Sequence, residues 1–206
     1  MKRILFLLTI ICFSNYFCFS QKIDPAKNKF LIIVDIQEYY TCNSLSENSA
    51  QNLIDSVNCV INHTNRNHVI YIKSIHQLLN LSLTLPFAYV TFDTSAMRLD
   101  KRMNVVSKHI FTKIESNAFT VKPLNDFLTQ NHAKDIVVIG LMAEECVYES
   151  LIGGKNLGYN MYMIPEAIVG KSQKSKDEAI KKLIGKGIKV LHINTLEDEE
   201  IKYRHY

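Results

Sequence analysis

The segment KFLIIVDI, residues 29 to 36, is an uninterrupted apolar run rich in β-branched residues and closed by a single aspartate. A run this short and this apolar reads as a strand covered on both faces, as in the middle of a parallel sheet. Comparable runs recur along the chain: VIYIKS (69–74), HIFTK (109–113), DIVVIGL (135–141), YNMYMI (159–164) and IKVLHI (188–193). Helical spacing lies between them, over 48–65 (Leu53, Ile54, Val57, Val60, Ile61), 121–131, 144–157 and 173–184, the last stopped by Gly185-Lys-Gly187. Strands alternating with helices predict βαβ units. The expected architecture is a three-layer α/β/α, Rossmann-like fold with a mainly parallel sheet of about six strands. Residues 76–104 show no clear period and are expected either to cap the strand ends or to hold a poorly patterned helix and strand.

Ahead of this domain, Lys2 and Arg3 precede an apolar stretch, 4–13, followed by polar residues and YFCFSQK. The stretch is too short to span a bilayer and suits the apolar core of a secretory signal, with Cys18 and Ser20 at the small-residue positions before a cut and Gln21 as the mature start. The reading is therefore a signal peptide over 1–20, a single domain over 21–206, and export to the periplasm or outside the cell with no membrane segment in the mature form. Cleavage leaves Cys42, Cys59 and Cys146, an odd number, so a disulfide framework is not what holds the fold. Cys42 is read in a polar loop, Cys59 at the edge of a helix's apolar face, and LEDEEIKYRHY as a solvated terminal helix. A net charge of +4 spread along the chain, without basic blocks interleaved with aromatics, excludes a nucleic-acid footprint.

Sites in parallel sheets lie beyond the C-terminal ends of the strands, and three such ends carry unusual residues: Asp35, Lys113 and the turn leading to Cys146. A helix beginning near Cys146 would favour a thiolate through its free N–H groups and dipole, although Glu144 and Glu145 stand just before it. Those glutamates are expected in the first helical turn, directed away from the sulfur. Singly, the aspartate could cap a turn, the lysine could be solvated and the thiol could be structural. Together, a thiol, a carboxylate and a cation at one sheet edge make a workable nucleophile site.

Three segments, VDIQ (34–37), FTKIESNAF (111–119) and GLMAEECV (140–147), resemble in order the signature segments of the isochorismatase-like cysteine hydrolase superfamily, to which nicotinamidases and N-carbamoyl amidohydrolases belong. The resemblance extends over roughly residues 29–193. It implies a catalytic triad of Asp35, Lys113 and Cys146, a cis peptide at Leu141–Met142, and an oxyanion hole formed by the amides of Met142 and Cys146. It also implies a pocket near Tyr40, His76 and Phe119, and a family that often assembles and completes the pocket from a neighbouring subunit.

Metal-dependent nicotinamidases carry Asp-x-His after the second strand. Here the sequence is Ser74-Ile75-His76, and one imidazole does not make a metal site, so neither metal nor cofactor is expected. True isochorismatases lack the cysteine. The expected activity is hydrolysis of a small amide or carbamoyl C–N bond through a thioester. The alternative from another class is a catalytically inactive binding or scaffold protein that keeps the fold.

Overall fold

The computed structural model describes residues 29–81, 83–86, 88–93 and 98–196, of which 76–80 and 89–93 are described by their backbone alone. The signal-like segment with Cys12 and Cys18, and the tail beyond Leu196, lie outside the described residues.

The apolar runs form the strands expected of them: β1 (Phe30–Val34), β2 (Val69–Ser74), β5 (Ile110–Lys113), β6 (Asp135–Leu141), β7 (Asn160–Val169) and β8 (Lys189–Val190). They make one six-stranded sheet in the order β5-β2-β1-β6-β7-β8, with every pair parallel. β1 is central, and each of its residues is buried. Helices cover both sides, giving the α/β layering predicted. α2 (Glu47–Asn62) begins at Ser46, whose hydroxyl accepts from the Ser49 N–H, and it buries Leu53, Ile54, Val57, Val60 and Ile61 along one stripe. α3 (Lys122–Gln130), α4 (Cys146–Asn156) and α5 (Gln173–Gly185) follow the predicted spacing, with α5 capped at Ser172.

Strand order reverses at β1: the chain first adds β2 and β5 on one side, then β6, β7 and β8 on the other. The crevice beyond the C-terminal ends of β1 and β6 is therefore a topological switch point, the place where such sheets hold ligands. The two strands approach so closely there that Gly140 is required. A Cβ at that position would lie 2.1 Å from the Val34 carbonyl oxygen, and its φ of +124° already disfavours any side chain.

Three expectations are corrected. The described residues of 76–93 form not a helix but an antiparallel pair, β3 (His76–Leu81) and β4 (Ala88–Asp93), in register from His76 with Asp93 to Leu81 with Ala88. The run 188–193 is a strand only over Lys189–Val190. Pro165 on the neighbouring β7 has no N–H to offer, so the pairing ends where the Leu191 N–H reaches the Met163 carbonyl at 2.9 Å. Cys42 lies in the short helix α1 (Glu38–Asn43), not in a loop, and Cys42, Cys59 and Cys146 are all free thiols.

Replacing Gly140 with alanine should cost about 3 kcal/mol or more, because the new methyl cannot fit without parting β1 from β6. Urea denaturation would show a large fall in midpoint, and an unchanged midpoint would contradict the close approach.

Candidate active site

The ends of β1, β2 and the edge strand β5, and the start of the helix that follows β6, each contribute one polar residue to a single cluster. Asp35 follows β1 with φ +59°, a left-handed conformation that costs a non-glycine residue roughly 1–2 kcal/mol. It is held there by its own N–H donating to the Ile72 carbonyl at 3.0 Å and by its buried carboxylate. Lys113 closes β5 and is buried to 2% exposure, which an ammonium tolerates only when its donors are satisfied. All three N–H groups are: Nζ donates to Asp35 Oδ2 at 2.9 Å, to Ser74 Oγ at 2.7 Å and to Cys146 Sγ at 3.1 Å. Ser74, the last residue of β2, in turn donates to Asp35 Oδ1 at 2.8 Å. Both carboxylate oxygens are thus engaged.

Ser74 is fixed from behind. The buried Gln37 side chain receives the Ser74 N–H at 2.7 Å and donates Nε2 to the Ser74 carbonyl at 3.1 Å, pairing the ends of β1 and β2 with a side-chain amide. α1, which carries Tyr40, is anchored by buried Asp100. That carboxylate accepts from Thr41 Oγ1 at 2.6 Å and from the Arg102 guanidinium at 2.6 and 3.0 Å. Burial pushes the Asp100 carboxyl up, but the Arg102 and Thr41 bonds outweigh it and hold it at about 2.

Cys146 is the first residue of α4 and is partly buried. Burial first, and the Asp35 carboxylate second, push its thiol up to about 11, overriding the opposing effect of Lys113. Burial and the Asp35 carboxylate thus favour the protonated thiol, against the pull of Lys113 and of the helix start at Cys146. The glutamates are placed differently from expectation. They precede the helix, Glu144 accepting from the Lys171 N–H at 2.9 Å and Glu145 pairing with the Lys171 ammonium. Both are tied to the loop after β7, and Glu145 still lines the cavity onto which Cys146 opens. Tyr40 shares a hydrogen bond with Ser74, while burial and the Asp35 charge push its hydroxyl up to about 12.

A cavity of about 220 Å³ opens over this cluster, and Asp35, Tyr40, Lys113, Met142 and Cys146 all line it. The Leu141–Met142 peptide is cis. Among the described residues, neither the Met142 nor the Cys146 backbone N–H donates to a protein acceptor, and both residues line the cavity. Phe119 does not join the cavity. Asn117 caps a 3-10 turn over Ala118–Thr120, and the ring packs 5.7 Å from that of Tyr159, in the space left by Gly154. His76 opens β3, and its side chain lies outside the described residues. The residues described do not fit a metal site. The Ser74 hydroxyl is spent on Asp35, Lys113 and Tyr40, and no group of three or more His, Cys, Asp or Glu side chains is gathered among them.

Ser74 and Gln37 are the residues that sequence reasoning passed over. Ser74 carried the same signal as Asp35 and Lys113, a polar residue closing an apolar strand.

No curated protein matches the sequence. Among solved structures, an isochorismatase-like hydrolase from Alkaliphilus metalliredigens is similar at TM-score 0.64 and 14% identity, covering 86% of this chain and 98% of that one. A nicotinamidase from Staphylococcus aureus matches at TM-score 0.60 and 20% identity over 79% and 96% of the two chains. An Acinetobacter baumanii nicotinamidase/pyrazinamidase matches at 0.65 and 16% over 84% and 99%. At these identities the likeness is one of fold. The isochorismatase domain model, by contrast, matches the sequence itself across residues 29–195, the whole sheet with all four residues of the cluster, and the chain belongs to the isochorismatase family.

Proposed function

We propose that this protein is an exported cysteine amidohydrolase that cleaves a small amide or carbamoyl C–N bond. The observation that carries the reading is the convergence of a thiol, a carboxylate and a buried ammonium, mutually within 3.1 Å of the Lys113 nitrogen, on one small cavity. The nicotinamidases among the similar structures act on amides and add weight.

With the thiol pushed up by burial and by Asp35, little of it is thiolate at pH 7. Deprotonation must then accompany attack, and Asp35 is the base within reach. It takes the Cys146 proton as sulfur bonds to the carbonyl carbon, and the carbonyl electrons move to oxygen. The Met142 and Cys146 N–H groups receive that oxyanion, where one such donor is typically worth 10²–10³ in rate. Lys113 offsets the charge on sulfur and on Asp35 in turn. On collapse the C–N bond breaks and Asp35 returns its proton to the leaving nitrogen, giving a thioester. Water then attacks, losing its proton to Asp35, and the acid leaves as the Cys146 thiol re-forms.

The raised thiol is also the one observation that favours a second reading, an inactive binding protein. Alkylation separates the two. Iodoacetamide modification of Cys146 should still accelerate between pH 9 and 11. Asp35→Asn should move that rise to lower pH by removing a repelling charge, and Lys113→Ala to higher pH by removing an attracting one. A thiol indifferent to both changes supports the binding protein.

Screening small primary amides and carbamoyl compounds for released ammonia should find a substrate, and Cys146→Ala should lower kcat by about 10³ or more. Full hydrolysis by that variant would end the cysteine mechanism. Export rests on the basic pair and apolar stretch of residues 2–13. N-terminal sequencing of the secreted or periplasmic protein should begin at Gln21, and an intact Met1 in that fraction would refute cleavage.

A further inference from the structure

The charges around the cavity extend this reading to the kind of substrate it takes, and the inference rests on it. At about 220 Å³ the cavity is smaller than the ~300–1,000 Å³ of sites for drug-sized ligands. Any charge on a ligand therefore sits close to the lining. The described lining contains three carboxylates, Asp35, Glu115 and Glu145, and one cation, Lys113. That cation has nothing left to give: its three N–H groups go to Ser74, Asp35 and Cys146, and Asp35 matches its charge at 2.9 Å. Glu115 is exposed at the rim and has no ion pair among the described residues. Glu145 is paired with Lys171, which does not line the cavity. Under the proposed mechanism the N–H groups of Met142 and Cys146 are reserved for the reacting oxygen.

A carboxylate brought into this space would lose water without gaining an uncommitted cation from the described lining, and would meet the unpaired charge of Glu115 at the mouth. We infer that the site takes neutral or cationic amides and disfavours amides bearing a carboxylate, and that Glu115, with a smaller share from salt-bridged Glu145, sets the preference. A cationic group at the mouth is attracted chiefly to Glu115 while the amide reaches Cys146.

Three methanethiosulfonates of similar size test this without a known substrate: the cationic trimethylammonioethyl, neutral hydroxyethyl and anionic sulfonatoethyl reagents. In each case the Cys146 thiolate displaces methanesulfinate and forms a mixed disulfide. The rate is read at pH 9 from the mass of the Cys146 peptide and normalised to 2-mercaptoethanol, a neutral thiol. The cation-to-anion ratio should be about 10 or more at low salt and fall several-fold in 0.5 M salt. Glu115→Gln should lower it about threefold, and adding Glu145→Gln should lower it further. A ratio at or below one in the wild type, or a ratio unmoved in the double variant, overturns the inference. The two readings fail separately. A preserved ratio with no amide hydrolysed rejects the amidohydrolase alone, whereas hydrolysis with a ratio of one rejects the charge preference alone.

Discussion

The Lys113 ammonium is the interaction on which the site depends. Burying an unpaired cation is expensive by several kcal/mol, and only complete satisfaction of its donors makes it tolerable. Here those donors reach the ends of β1 and β2 and the start of α4, so one side chain ties three segments distant in sequence. The same bonds that neutralise the lysine fix where the carboxylate and the sulfur stand. They add to the Ile72 hydrogen bond in holding Asp35 at φ +59°, since its carboxylate is buried and needs these partners.

Enclosure explains the thiol as well. A sulfur packed against a buried carboxylate is pushed up, and one lysine shared between two acidic groups cannot reverse the effect. Asp35 and Cys146 compete for the same positive charge, and in the resting state the carboxylate holds it while the thiol keeps its proton. Under the proposed mechanism that competition is useful. As the proton passes from sulfur to Asp35, the lysine's charge becomes available to the sulfur, so the net charge of the cluster does not change during attack. A preformed thiolate would instead place two anions around one cation in a site with little water.

The sheet was legible because each strand reads as a buried apolar run and needs no partner to be recognised. Asp35 and Lys113 stood out for the same reason, since a charge that ends such a run must be satisfied within the fold. Ser74 was less visible because serine closes many strands without consequence, and its importance comes from three partners on other segments. Phe119 was misplaced because a signature segment gives order along the chain, whereas the Asn117 cap decides which way the ring turns. The β3–β4 pair was not read because register in a sheet is selected by a buried face. Leu81, Leu83 and Leu85 alternate with polar residues, yet all three are exposed, so their spacing says nothing about a core. Thiol protonation was beyond sequence altogether, because it is decided by how deeply three groups are enclosed together.

Ser74 also bears on what this branch of the fold can do. A carboxylate at the end of β2, as in metal-dependent nicotinamidases, would put a second negative charge within hydrogen-bonding distance of Lys113 and beside Asp35. A hydroxyl adds no charge. It donates to Asp35 and accepts from Lys113, so the lysine serves one carboxylate and one thiol, with Tyr40 closing the remaining side. The charge balance of the cluster is therefore local and complete, and nothing in it is left over to attract an anion. Under the inferred preference it is therefore the unpaired Glu115 at the mouth, and not the lysine beneath, that governs which charges a ligand can bring.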